Sequence, residues 1–67
     1  MAFNVEFTDE DGEEYDVTYD VDEDGDAVIV EVTDEEGESW DDDELEEEDA
    51  ELHEDIMEFL EDLLDDE

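Results

Sequence analysis

At 67 residues the chain has room for one hydrophobic core and one domain, which excludes a multidomain enzyme. It carries 34 Asp and Glu, no Lys or Arg and a single His, a formal net charge of -34 at pH 7. Without cationic side chains it cannot neutralise phosphate, so direct binding of nucleic acid or anionic lipid is excluded and partners are expected among basic proteins and metal cations.

The absence of Cys removes disulfides and thiolate chemistry, so folding must rest on apolar burial. Met1 to Thr8 show neither a basic leader nor a long apolar run, and the expectation is a soluble, cytoplasmic chain with no membrane contact. Charge and a mean hydropathy of -0.93 would by themselves favour disorder. The 36% hydrophobic fraction is nevertheless arranged with clear periods.

Phe3, Val5 and Phe7 alternate with Asn4, Glu6 and Thr8, the period of a strand with one buried face. Tyr15, Val17, Tyr19 and Val21 alternate with Asp16, Thr18 and Asp20 in the same way. In a third run Val28, Val30 and Val32 share one face, and Ala27, Ile29, Glu31 and Thr33 share the other. Asp9-Glu10-Asp11-Gly12, Asp22-Glu23-Asp24-Gly25 and Asp34-Glu35-Glu36-Gly37 punctuate these runs, with glycines 13 and then 12 residues apart. A type I turn followed by a left-handed Gly fits each, giving antiparallel hairpins.

Beyond Ser39 the period changes. Leu45, Leu52, Ile56, Phe59, Leu60, Leu63 and Leu64 recur at helical spacing, with Met57 beside them. Asp41, with Glu44 at capping-box spacing, is one candidate start; Ser39 and Asp49 are others. The sequence therefore predicts a single α+β domain over 1-67. A meander of three or four antiparallel strands fills 1-40, and one acidic amphipathic helix over 41-67 packs on it. Ile29, on the face away from the core, and the width of the helical stripe predict a homodimer.

Few residues suggest chemistry. Asp20, Asp22, Asp24, Asp26 and Glu31 spell a calcium loop of the EF-hand type, the weaker candidate site. The flanking alternation is that of strands, whereas an EF-hand needs helices. His53 has no Ser, Cys or second His at a suggestive spacing and reads as a helix-border residue. Trp40 reads as a plug at one end of the core rather than a partner anchor. The expectation is a non-enzyme without a cofactor or dedicated metal.

The carboxylates expected to face a partner are Glu6, Asp16, Asp20 and Glu31 on the strands and Asp41, Asp42, Asp43 and Glu44 at the junction. Glu47, Glu51, Glu54, Glu58, Glu61 and Asp65 follow at intervals of four, three, four, three and four, an acidic stripe opposite the apolar one. Each like-charge neighbour there costs about 0.2–0.5 kcal/mol, so the stripe does not serve helix stability. Thirty-four carboxylates match the charge of about 58 Å of duplex DNA, or about 17 base pairs. On strands they recur about every 6.8 Å and on a helix stripe about every 6 Å. Such rows of anions would attract a basic DNA-binding protein and fill its groove.

These features, the three acidic Gly turns, the run from Asp41 to Asp49 and the total lack of Lys and Arg, resemble the small DNA-mimic proteins of phages. That class includes anti-restriction proteins and host-takeover inhibitors, and in size and layout the chain is similar to the Bacillus phage inhibitors of the nucleoid protein HU. The resemblance implies a dimeric acidic surface that occupies the DNA-binding region of a basic host protein, HU preferred, in the bacterial cytoplasm at the nucleoid. Restriction, nuclease and repair enzymes are alternative targets. Two other classes fit the composition: an acidic, solvated domain of halophile type, and a calcium-binding module.

Overall fold

The computed structural model describes residues 2–65. Four antiparallel strands lie in chain order, β1 (Phe3–Thr8), β2 (Glu14–Val21), β3 (Ala27–Asp34) and β4 (Ser39–Trp40), followed by helices α1 (Asp42–Glu48) and α2 (Ala50–Asp65). This is the α+β meander and C-terminal helix that the periodicities predict, with the fourth strand present as a two-residue pairing of β4 to the end of β3.

One local device makes all three hairpins. In the first turn the backbone N–H of Gly12 donates to the Asp9 carbonyl at 3.1 Å, and the N–H groups of Asp11 and Glu13 both donate to Asp9 Oδ1 at 2.9 Å. Asp22 and Asp34 repeat the arrangement, each Oδ1 accepting from two backbone N–H groups of its own turn. Gly25 at φ 86 occupies the left-handed conformation that this turn requires and that a Cβ would strain. The short Asp side chain reaches back to its own turn, which is why Asp opens every turn.

Both helices pack on one face of the sheet. Phe7, Tyr15, Val17, Ala27, Ile29 and Val32 from the strands meet Leu45 of α1 and Leu52, Ile56 and Leu60 of α2, and the Phe7 and Phe59 rings lie 5.2 Å apart. Trp40 is half-buried and packs against this core. Leu63, expected in the apolar stripe, is instead exposed on the flank of α2.

Phe3, expected on the buried face of β1, is also exposed, and two larger features depart from the sequence reading. First, strict alternation fails in β3. Thr18 pairs with Glu31 but Tyr19 pairs with Ile29, so Val30 is an extra residue, a β-bulge, and the inward parity shifts there. Ile29, 3% exposed, and Val32, 0% exposed, both point into the core, whereas Val28 and Val30 remain 44% and 47% exposed on the opposite face. Ile29 therefore gives no reason for a second copy. Second, the expected single helix is two. Asp49 closes α1, its N–H donating to the Leu45 carbonyl at 2.8 Å, and its Oδ1 accepts from the Leu52 N–H at 3.2 Å to open α2. Its φ of -149 and ψ of 77 turn the chain between them. Asp41 caps α1 through the Glu44 N–H at 2.8 Å, so both Asp candidates start a helix. No helix among the described residues is long and apolar enough to cross a membrane.

Candidate functional site

The acidic surface follows from the core. Because the inner face and the helix seam take every buried position, no described Asp or Glu is buried, and the charge is carried outward on a body 31 × 21 × 19 Å. A duplex 31 Å long carries about 18 phosphate charges. All the carboxylates but those of Asp66 and Glu67 lie in the described residues, so the charge density exceeds that of DNA along the same length.

The predicted site residues fall on two opposite surfaces. Glu6, Asp16, Asp20 and Glu31 lie on the open face of the sheet, the face without helices. Glu6 stands directly across from Asp16 in the β1–β2 register, a like-charge pair that costs stability. Glu14 belongs with them, paired with Thr8 and sharing the parity of Asp16; that shared parity was the sequence signal by which it could have been included. On the same face the Asn4 side-chain amide donates to Thr18 Oγ1 at 3.2 Å.

The helical surface carries Asp43, Glu44 and Glu47 on α1 and Glu51, Glu54, Glu58, Glu61 and Asp65 on α2, all exposed. The acidic stripe is not continuous, because the break at Asp49 separates Glu47 from Glu51. The α2 part alone spans about 21 Å at 1.5 Å per residue.

Several carboxylates hold the fold as well as charge. Asp41 and Asp49 cap helices, Asp20 Oδ1 accepts from the Val21 N–H at 2.9 Å, and Asp42 Oδ1 lies 2.6 Å from His53 Nε2. The Tyr15 hydroxyl donates to Glu13 Oε2 at 2.7 Å and lies 3.5 Å from Asp9 Oδ2. Burial first, and then the Glu13 carboxylate, push the Tyr15 phenol well above its ordinary range, so it stays protonated as a donor among anions. Elsewhere a shallow hollow between the first turn and the start of α2 is lined by Asp9, Glu10, Asp11, Asp49, Glu51, Leu52 and Asp55.

The calcium-loop spelling does not form an EF-hand. Asp20 and Glu31 sit on strands β2 and β3, and the segment between is a hairpin turn. Oxygens of Asp22, Asp24 and Asp26 lie within 4.8 Å of one another, all exposed, while Asp20 and Glu31 stand outside that group. Asp22 Oδ1 is already an acceptor for two backbone N–H groups.

Compared with known proteins, the chain matches no family model, no curated protein and no solved structure.

Proposed function

We propose that this chain is a DNA mimic, an inhibitor that binds the DNA-binding surface of a basic host protein and competes with DNA. The observation that supports this reading is that no described Asp or Glu is buried and most are exposed, on a folded body with His53 as its only basic side chain. A disordered acidic chain would have to be ordered on binding; here the hairpins and capped helices hold the anions before a partner arrives, which lowers the cost of association. Excluding Lys and Arg altogether leaves that field without a permanently cationic side chain, which solvation of a halophilic surface does not require.

The preferred target is the nucleoid protein HU, following the resemblance to phage inhibitors; a restriction, nuclease or repair enzyme with a cationic groove is the alternative. Acting there, the chain works in the bacterial cytoplasm at the nucleoid. The test is capture of purified HU on the immobilised chain, followed by elution with rising salt or with duplex DNA. Retention at low salt and displacement by duplex support the reading. Bound HU that duplex DNA fails to displace overturns competition with DNA, and no retention overturns HU as the target.

A further inference from the structure

The open face of the sheet carries an apolar pair outside the core. Val28 and Val30 are 44% and 47% exposed, and no helix or strand among the described residues covers them. The bulge puts them there. Without the extra residue opposite the Thr18–Tyr19 step, Val28 and Val30 would share a face with Val32, which is 0% exposed. Bulges re-aim side chains, and this one sets Val30 and Glu31 side by side on the open face. Thr is the polar β-branched residue that suits such a strand position, and the half-buried Thr18 and Thr33 stand on the same face.

The surroundings decide what fits. Glu6, Asp16 and Glu31 share the face with the valines, and no Lys, Arg or His side chain stands among them on the described strands. A second copy laid on this face would set carboxylate against carboxylate, whereas a cationic surface would be attracted to the acidic rim. Resting on the DNA-mimic reading, we infer that the partner docks on the open sheet face and not on the helical stripe. Val28 and Val30 receive an aliphatic side chain that projects between Lys and Arg residues of the partner. The acids set the encounter rate and its salt dependence; the valines hold the complex once formed.

The experiment measures association and dissociation of purified HU over a range of salt concentrations for the wild type and three variants. These are V28T/V30T, the sheet set E6Q/D16N/E31Q, and the helix set E51Q/E54Q/E58Q/E61Q, each checked for native circular dichroism. Both valines are exposed and Thr keeps the branch at Cβ, so V28T/V30T is expected to fold. It should bind about tenfold more weakly, through faster dissociation, with an unchanged salt dependence. The sheet set should flatten the salt dependence, and the helix set should leave dissociation unchanged. Wild-type affinity in V28T/V30T, or a greater loss in the helix set than in the sheet set, overturns the proposal. So does a wild-type dimer in sedimentation equilibrium that V28T/V30T converts to monomer, because the face would then be a self-interface. If wild-type HU complexes form but resist displacement by duplex DNA, DNA mimicry fails whatever the variants do; if no complex forms, both ideas fall for this target.

Discussion

His53 Nε2 on α2 lies 2.6 Å from Asp42 Oδ1 in the first turn of α1. The sole basic side chain of the protein thus ties together the two helices that Asp49 separates. His53→Ala should lower stability by about 1 kcal/mol, the value of one side-chain hydrogen bond, and hasten amide exchange at Leu45. Asp42→Asn, which keeps an acceptor oxygen, should cost less. Urea unfolding with hydrogen exchange checks both; equal loss in the two variants would assign the effect to charge rather than to the hydrogen bond.

The bulge in β3 makes adjacent residues opposite in cost. Ile29→Ala should destabilise by about 2–5 kcal/mol, because it opens a cavity in the core. Val28→Thr should stay within about 0.5 kcal/mol, since it alters an exposed side chain. Strict alternation through Val28, Val30 and Val32 requires the reverse order, so two denaturation curves decide between them.

Self-repulsion sets the response to salt. Exposed like charges are screened over about 8 Å at physiological ionic strength, so added sodium chloride should raise the melting temperature. Asp16→Asn relieves the cross-strand pair with Glu6 and should add about 0.2–1 kcal/mol of stability, with a smaller gain from salt than the wild type shows. A melting temperature that is flat in salt would contradict both expectations.

Tyr15 gives a pH dependence at the alkaline end. Its ordinary value is 10.0, and burial followed by the Glu13 carboxylate raises it in the folded chain. Below that ordinary value the phenol is protonated in both states and its contribution is fully present. Above it the unfolded chain releases a proton that the folded chain retains, so stability falls as pH rises. Tyr15→Phe should remove that part of the decline. Urea midpoints from neutral pH to about pH 11 provide the comparison, and an identical alkaline slope in the variant would sink it.

The sequence by itself determined the elements whose causes are local. Asp followed three residues later by Gly was enough for each turn, since the same few backbone groups close it wherever it occurs. Alternation located β1 and β2, and helical spacing found the seam of Leu52, Ile56 and Leu60. The outward charge was equally legible, because so small a core leaves carboxylates no buried place.

Tertiary structure decided the rest. Ile29 and Val30 are both β-branched and apolar, so either satisfied the pattern; only the pairing of β3 with β2 across the Thr18–Tyr19 step chose Ile29 for the core. Asp41 and Asp49 were equally good caps, and both are used because Leu45 and Leu52 reach one core from two separate helices. The division of the acids into an open sheet face and a helical face also needed the fold. Which surface a carboxylate occupies depends on the parity of its strand and on the side where the helices pack, and a shift of one residue reverses it.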